Sequence, residues 1–457
     1  MSKTTVVRNN HAEEKNLQSH NTGNDSTNSL TAQEERAILD NKKESERSGK
    51  DHVDTSHNKT PETKKNMHKK KGRKKLTGIS DSIKFSQFSH SNMKNIPHEP
   101  TELMTDISEV ALFVDSKLIT GTTKKDRSEV MPILKSDVSA MTNKSNIEQR
   151  DLKKPYLGAD LFKDLDIYQL MDASLLDNVG PCMEYIKTLG HQKKESVIED
   201  EVTFVSPRHH IIDIGMSLFN LYSQTDTSLL CAYTRSGYLI LQEDSKKSST
   251  ADQGVNSKDP MIRKICKSGF AFEDLVTEGE GPKEPVFSIV KGKINSKINL
   301  LLRCEIDAYN EEEEIYTELK CYSTLRIANS NHRKKLLRTW LQTGLCPKSN
   351  VVMGIRDPSS GILDDIKTYS RSELYHLYNN RSLRFLDKDF NYNTNIAVQW
   401  THYCLNSINK LVHGLRDTDD DNPQGFRIVI DKKHNITLRK LKTIPAKFHI
   451  EEYTEYL

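Results

Sequence analysis

Two short acidic motifs lie close together in the second half of the chain. The first is Glu305-Ile306-Asp307, and the second, a little further on, is Glu318-Leu319-Lys320. Carboxylate oxygens are the ligands that Mg²⁺ and Mn²⁺ prefer, and a lysine can neutralise the charge that develops on a phosphate during hydrolysis. Three carboxylates and one ammonium at a single place would therefore suit the metal-dependent hydrolysis of a phosphodiester.

Strand periodicity predicts that these side chains meet. The first motif ends an apolar stretch, residues 300–308, that is typical of a buried strand. Side chains alternate between the two faces of a strand, so its two carboxylates share a face. The second motif lies in residues 315–321, where the carboxylate and the ammonium also share a face. The connection, residues 309–314, is short, polar and acidic, so it predicts an exposed turn between adjacent antiparallel strands.

The alternative is a solvent-facing hairpin that carries ordinary charges. Each motif alone is common by chance, and the pattern leaves both interpretations open. The apolar surroundings favour catalysis, because unpaired carboxylates are costly to bury and a divalent cation would offset that cost.

Two further motifs flank the acidic pair and extend the pattern. Ser268-Gly269-Phe270-Ala271-Phe272-Glu273 precedes it, and Thr339-Trp340-Leu341-Gln342 follows it. With this order and spacing the chain resembles the DXO/Rai-type decapping exonucleases. The similarity runs from about Lys154 to the C-terminus, and the chain is most similar to the shorter, cytoplasmic fungal members of that family.

The resemblance implies a role for each motif residue. The metal ligands, for two Mg²⁺ or Mn²⁺ ions, would be the carboxylates of Glu273, Glu305, Asp307 and Glu318 and the backbone carbonyl of Leu319. Lys320 and Gln342 would contact the phosphate that is cut or the water that attacks it. The catalytic set is then Glu305, Asp307, Glu318, Lys320 and Gln342.

An earlier arginine completes the substrate site that the resemblance implies. Arg208 is similar to the family's arginine that holds RNA phosphates, and it would bind substrate together with Glu305, Lys320 and Gln342. Its neighbours, Pro207 and His209, depart from the usual Arg-Gly sequence. His209 and His210 are interpreted as structural, because metal-dependent hydrolysis needs no histidine base.

The resemblance also implies a fold and an activity. The fold is mixed α/β, with two β-sheets flanked by helices and a core related to the PD-(D/E)XK nucleases. The activity is removal of the whole cap from incompletely capped RNA, including unmethylated and NAD caps, together with distributive 5′→3′ exonuclease action in mRNA cap quality control. The substrate is a single-stranded RNA 5′ end, capped or with a 5′-monophosphate.

Two other functions stay open. The first is a non-catalytic partner that activates a 5′→3′ exoribonuclease, which co-purification with the exonuclease would reveal. The second is a DNA nuclease with the same core, which a comparison of RNA and DNA of one sequence would reveal.

The elements that must position these residues alternate between strands and helices without a fixed repeat. We expect one domain over residues 81–457. Gly269 and the aromatic residues after it indicate close helix packing before Glu273, and Trp340 and Trp400 are expected in the core. The predicted helices cover residues 161–175, 210–222, 260–276, 332–343, 369–377 and 395–412. The predicted strands, besides the two already described, cover residues 202–205, 229–233, 238–242, 286–290, 351–355, 427–430 and 436–441.

Residues 1–80 are polar and nearly free of aromatic side chains, so we expect a disordered tail. Within it, residues 68–75 form a basic cluster: a nuclear-import signal, an RNA tether or a solvated run of charge. The formal net charge of +3 is small, so a nucleic-acid site must arise from local arrangement.

The seven cysteines are odd in number and never spaced as CxxC, which argues against a disulfide framework or a zinc ribbon. No stretch of about 18 apolar residues indicates a membrane span. We therefore expect a soluble, cytoplasmic monomer without an obligate protein partner, which the basic cluster could also direct to the nucleus.

Overall fold

Strands of the chain form two separate β-sheets. The computed structural model describes residues 80–86, 88, 100–114, 116–142, 144, 148–168, 177–190, 201–219, 226–244, 257, 259–279, 281, 284–326, 329–378 and 393–457. These residues fall within one compact unit, Lys75–Leu457. The predicted tail and its basic cluster lie outside the described residues, as does most of the polar stretch 245–258.

Among the described residues, the larger sheet has ten strands and the smaller has four. In spatial order, the large sheet consists of β1 (Ser80–Ile83), β14 (Ile436–Lys440), β13 (Gln424–Ile430), β5 (Thr227–Tyr233), β6 (Tyr238–Glu243), β4 (Val202–Pro207), β8 (Ile298–Ile306), β7 (Val286–Asn295), β2 (Thr105–Val114) and β3 (Lys117–Thr120). The small sheet consists of β12 (Leu363–Ser370), β11 (Ser349–Arg356), β10 (Ile315–Tyr322) and β9 (Ala308–Asn310). Parallel pairs (β4 with β6, β4 with β8, β10 with β11) occur among antiparallel ones, so both sheets are mixed.

Helices cover the faces of both sheets. Those bounded within the described residues are α1 (Lys124–Val130), α2 (Ser136–Thr142), α3 (Gly180–Thr188), α4 (Arg208–Met216), α5 (Pro260–Val276), α6 (Ser330–Thr343), α7 (Arg371–Tyr378) and α8 (Thr394–Leu415). The main core joins α4, α6 and α8 to one face of the large sheet, and Trp340 and Trp400 are fully buried there, as predicted. No helix among the described residues is both long and apolar enough to span a membrane.

The helix α5 is positioned by its ends and by one close contact. Asp259 caps its N-terminus by accepting a hydrogen bond from the N–H of Met261 (2.8 Å), and Pro260 is its first residue. The predicted close packing does not occur at Gly269, where an added Cβ would meet nothing within 4 Å. It occurs at Gly354 of β11, where a Cβ would approach the ring of Phe272 to 2.5 Å.

The predicted hairpin between the two acidic motifs is wrong. β8, with the first motif, pairs with β4 and β7 in the large sheet, whereas β10, with the second, pairs with β9 and β11 in the small sheet. The turn, residues 311–314, therefore joins β9 to β10. The chain crosses from one sheet to the other between β8 and β9, because a residue pattern of period two does not specify which sheet a strand joins.

Other predicted elements divide into confirmed and wrong ones. Helix 260–276 has the predicted bounds, and the hairpin of β5 and β6 is confirmed. In place of the first half of helix 161–175 there are turns and a short 3₁₀ helix, Leu165–Ile167. Helix 369–377 begins later than predicted, because Tyr369 pairs with Val351 in the small sheet.

Candidate active site

Asp307 lies where the chain leaves the large sheet. β8 ends at Ile306 and β9 begins at Ala308, so Asp307 is the single residue between them. Its Oδ2 accepts hydrogen bonds from the backbone N–H of Leu319 (2.9 Å) and from Lys320 Nζ (3.3 Å). The two acidic motifs therefore meet through Asp307, although their strands belong to different sheets.

β10 contributes the second motif. Lys320 Nζ donates to a carboxylate oxygen of Glu318 and to the backbone carbonyl of Leu319 (3.0 Å). The side chain of Glu318 is only 5% exposed and that of Lys320 is 23% exposed. The side chain of Leu319 is buried in the apolar cluster with Phe272 and Val352, so its carbonyl, not its side chain, belongs to the site.

Two helices bring further side chains to Glu318. The side-chain amide of Gln342, on α6, donates to Glu318 Oε1. Arg208, the first residue of α4, places Nη2 3.3 Å from Glu318 Oε2 and donates from Nη2 to the backbone carbonyl of Glu305 (3.1 Å). Arg208 arrives there because β4 runs parallel to β8, with Pro207 opposite Arg303, so both strands end at the same edge.

Burial dominates the electrostatics of three of the carboxylates. Burial raises the pKa of Glu273 well above its usual range, and the nearby Asp307 adds to the shift. Burial, with a further contribution from Glu318, raises the pKa of Asp307 to about 7. Burial also raises the pKa of Glu305, although the guanidinium groups of Arg208 and Arg303 oppose the shift. Each of these acids is therefore costly to ionise without a cation nearby.

Glu318 behaves differently because two cations touch it. Burial acts to raise its pKa, but Lys320 and Arg208 outweigh burial and hold the pKa below its usual value. Burial would lower the pKa of Lys320, but Asp307 and Glu318 raise it instead. The site therefore keeps a charged lysine beside a charged glutamate.

The site carries more negative than positive charge when it is fully ionised. Four carboxylates against Lys320, Arg208 and Arg303, which acts on Glu305, leave one negative charge uncompensated. A divalent cation would offset it, and a donor set made only of oxygen atoms suits Mg²⁺ or Mn²⁺ rather than a softer metal. The residues present therefore fit the metal that the sequence predicts. The carboxylates that lie close enough to raise one another's pKa values are Glu273, Glu305, Asp307 and Glu318.

One neighbour of the site carries no signal in the sequence. Cys346, just after α6, lies buried with Sγ 3.3 Å from Arg208 Nη1. It helps to fix the guanidinium, and nothing in its sequence context predicts that contact.

Two other neighbours could have been found from strand alternation. Arg303 precedes Glu305 by two residues on β8, and its positive charge opposes the rise in the pKa of Glu305. Tyr322 follows Lys320 by two residues on β10 and contributes to the raised pKa of Lys320. Because residues two apart share a face of a strand, extending each motif by one step predicts both.

A second group of possible metal ligands lies beyond Arg208. Ligand atoms of Asp177, His209 and His210 lie within 4.8 Å of one another. His210 Nε2 is 2.6 Å from Asp177 Oδ1, and Asp177 also lies 3.5 Å from Lys447 Nζ. Burial, together with His210, lowers the pKa of His209 to about 3. The N-terminus of α4 and the ammonium of Lys447 make this place unfavourable for a further cation. The interpretation of His209 and His210 as structural stays a prediction.

The comparisons with known proteins agree with this fold. A family model described as RAI1 like PD-(D/E)XK nuclease matches residues 134–454. Decapping and exoribonuclease protein 1 of Saccharomyces cerevisiae is 40% identical over 408 residues, covering 87% of this chain and 90% of that protein. The protein of the same name from Kluyveromyces lactis is 31% identical over 364 residues, covering 77% and 86%.

A solved structure gives the same result. The crystal structure of Kluyveromyces lactis Dxo1 in complex with manganese aligns with a TM-score of 0.61 at 28% identity, covering 80% of this chain and 99% of that one. Two mixed sheets, an acidic cluster where β8 ends and a lysine on β10 agree with the matched family model, and the chain is a nuclease of the PD-(D/E)XK type. More narrowly, this chain belongs to the RAI1-like PD-(D/E)XK nuclease family, and the predicted fold class is confirmed.

Proposed function

We propose that this chain is a divalent-metal-dependent hydrolase of RNA 5′ ends. It removes the whole cap from incompletely capped RNA, whether the cap is unmethylated guanosine or NAD, and then degrades the RNA distributively in the 5′→3′ direction. The observation that carries the proposal is the gathering of four carboxylates, Glu318 buried and the other three partly buried, around Lys320. The names of the two yeast relatives, decapping and exoribonuclease proteins, support it.

Glu273, Glu305, Asp307 and Glu318, with the carbonyl of Leu319, would hold two Mg²⁺ or Mn²⁺ ions. Such ions supply Lewis-acid polarisation of a phosphate and lower the pKa of a coordinated water. The manganese in the Kluyveromyces lactis structure supports this assignment. The high pKa values of the buried acids fit it as well, because ions would replace the protons that these acids otherwise retain.

Lys320 and Gln342 prepare the site for the reacting phosphate. Lys320 remains an ammonium because Asp307 and Glu318 raise its pKa, so it can neutralise charge as the phosphate gains negative character. Gln342 donates to Glu318 and thereby fixes the orientation of that carboxylate. A carboxylate held from two sides changes its position little during the reaction, which lowers the cost of reorganisation.

Arg208 supplies a fixed positive charge on the substrate side of the site. Its guanidinium is buried and is held by Glu318, by the carbonyl of Glu305 and by Cys346. A guanidinium held in this way can bind a phosphate next to the cut without losing much side-chain entropy. We place the 5′ end of a single-stranded RNA here, and we propose that the enzyme acts as a cytoplasmic monomer in mRNA cap quality control.

The test compares RNAs that differ only at the 5′ end: GpppN, methylated cap, NAD cap, triphosphate or monophosphate. Each is incubated with Mg²⁺ or Mn²⁺ and wild-type protein, and the released products are identified. Glu305→Ala/Asp307→Ala removes two carboxylates from the site. Glu311→Ala/Glu312→Ala is the matched control, because it removes two carboxylates from the nearby turn, outside the site.

Release of an intact cap dinucleotide from GpppN RNA by wild type and by the turn variant, but not by the site variant, is the expected result. We expect the site variant to lose at least about 10³-fold in rate. Degradation of monophosphate RNA alone would leave an exonuclease and remove the decapping proposal. No cleavage of any RNA would overturn the enzymatic proposal and favour a non-catalytic partner of an exoribonuclease.

A further inference from the structure

Phe270 places an aromatic ring at the surface, one helical turn before Glu273. Phe270 is 37% exposed, whereas the other aromatic residue of the motif, Phe272, is completely buried. Residues three apart on a helix are neighbours, with Cβ atoms roughly 5–6 Å apart. The ring of Phe270 therefore lies beside the acidic site and outside the core.

The orientation of this ring is fixed from one side. Tyr168 stacks on Phe270 with ring centroids 6.2 Å apart and an interplanar angle of 25°. The Tyr168 hydroxyl donates to Asp274 Oδ2 (3.3 Å), on the next turn of the same helix. Burial raises the pKa of Tyr168 to about 12, and the carboxylates of Asp274 and Glu273 raise it further. Tyr168 therefore lies near both carboxylates. Tyr168 thus supports one face of the phenyl ring.

The charge along α5 changes sign next to Phe270. From Pro260 to Phe270 the helix carries Arg263, Lys264 and Lys267 and no acidic residue, and the acidic residues follow directly after this stretch. Lys264 is exposed and Arg263 is partly exposed, whereas Lys267 Nζ donates to the Leu165 carbonyl (3.0 Å). Positive charge at the surface attracts the phosphates of a nucleic acid, whereas the acidic cluster needs metal to accept one. Phe270 lies at the junction of the two.

We propose that Phe270 is a stacking platform for a nucleobase of single-stranded RNA, next to the phosphate that is cut. The proposal rests on the proposed function above. Stacking accepts every base because each has a π-face, which fits an enzyme that degrades RNA of any sequence. A single exposed phenyl ring is ordinary on a protein surface. The support from Tyr168 and the position beside Glu273 distinguish this one.

The test measures the dissociation constant of a fluorescent 5′-monophosphate RNA with a non-hydrolysable backbone by anisotropy in the presence of Mn²⁺, and separately kcat and KM for hydrolysis of the natural RNA. Phe270→Ala removes the ring and Phe270→Trp keeps a stacking surface. Met261→Ala is the matched control: Met261 is an apolar residue on the same helix and is 43% exposed. It lies nine residues earlier, two and a half turns at 3.6 residues per turn, so it faces the opposite side.

We expect Phe270→Ala to weaken RNA binding and to raise KM by about 5- to 150-fold, with kcat little changed. Phe270→Trp should bind nearly as wild type does, and Met261→Ala should be indistinguishable from wild type. Unchanged affinity in Phe270→Ala would overturn the stacking proposal, whether or not the protein cleaves RNA. A wild-type protein that binds RNA but cleaves none would overturn the proposed function instead.

An RNA without bases at its first two nucleotides identifies the contact directly. Wild type should lose about as much affinity for this RNA as Phe270→Ala loses for intact RNA, and Phe270→Ala should lose little more when the bases are absent. Losses that simply add would show that the ring and the bases act independently, and the proposal would fail.

Discussion

The carboxylate of Glu109 and those of the acidic site are all shielded from solvent, but their negative charges are neutralised in different ways. Glu109, on β2, has a side chain that is 3% exposed. It accepts hydrogen bonds from Arg127 Nε (2.9 Å), Thr122 Oγ1 (2.9 Å) and Ser288 Oγ (2.6 Å), and from the Tyr316 hydroxyl. One carboxylate thus has an arginine and three hydroxyl groups to itself.

In the acidic site each carboxylate has fewer positively charged or hydrogen-bonding partners than Glu109 has. Its four carboxylates share Lys320, Arg208 and, at Glu305, Arg303, and burial raises the pKa of three of them. A structural carboxylate has its charge neutralised by other groups of the protein, whereas a functional site leaves negative charge that a bound ligand neutralises. The difference predicts opposite responses to mutation, to metal and to pH.

The largest effect on stability is expected at Glu109. Glu109→Ala leaves the Arg127 guanidinium and three hydroxyl groups without their acceptor, so the free energy of unfolding should fall by about 2–4 kcal/mol. RNA hydrolysis at low temperature should persist, because Glu109 lies outside the acidic site. Chemical denaturation measures the first effect and the assay described above measures the second.

Glu102→Ala is the control for this substitution. Glu102 pairs with Arg371 at 3.3 Å, but its side chain is 56% exposed, so its removal should cost less than about 1 kcal/mol. Equal stability of the two variants would mean that the network around Glu109 contributes no more than a surface ion pair.

Bound metal should raise the free energy of unfolding, whereas loss of Glu109 lowers it, and the metal should act only through the acidic site. Mn²⁺ at 100 times its dissociation constant should stabilise the wild-type protein by about 2.7 kcal/mol, because it binds the folded state. Glu305→Ala/Asp307→Ala should show almost no gain, whereas Glu109→Ala should gain as much as wild type. Thermal melting with and without Mn²⁺ measures this, and an equal gain in all three proteins would place the metal elsewhere.

The smallest expected effect concerns pH. The pKa of Asp307 rises from its ordinary 3.8 to about 7 on folding. The stability that this group contributes is therefore fully present at low pH and is lost as the pH rises from about 4 to about 7. Asp307→Asn cannot ionise, so without metal it should melt about 2–4 °C above wild type at pH 8. The gap should narrow towards pH 5, whereas a gap independent of pH would exclude ionisation of Asp307 as its cause.

Local signals predicted much of this molecule correctly. Helix 260–276 has the predicted bounds, and in the structure the Asp259 cap and Pro260, which act within one turn, fix its start. The face shared by Glu318 and Lys320 follows from alternation alone, and their contact agrees with it. Contacts of this kind depend on neighbouring residues in the chain, which a sequence displays directly.

Long-range pairing was the part that local pattern could not supply. Strand β9 is only three residues long, yet β10 pairs with β9 and not with β8 as predicted. Strand β12 was missed because its alternation of Asp364, Asp365 and Lys367 with apolar residues is irregular. Arg208 reaches the site through the pairing of β4 with β8, and only the resemblance pointed to it.

The crossing at Asp307 also sets where the chain can change length. An insertion or deletion of one residue between Glu305 and Ala308 would turn a carboxylate away from its partners, since neighbouring residues on a strand face opposite sides. The turn at residues 311–314 is more tolerant, because its side-chain contacts with other elements are an exposed ion pair between Lys124 and Glu314 and one hydrogen bond from Thr142 to Glu313. A loop or tag grafted at that turn leaves the acids in place, whereas the same graft three residues earlier, beside Ala308, dismantles them.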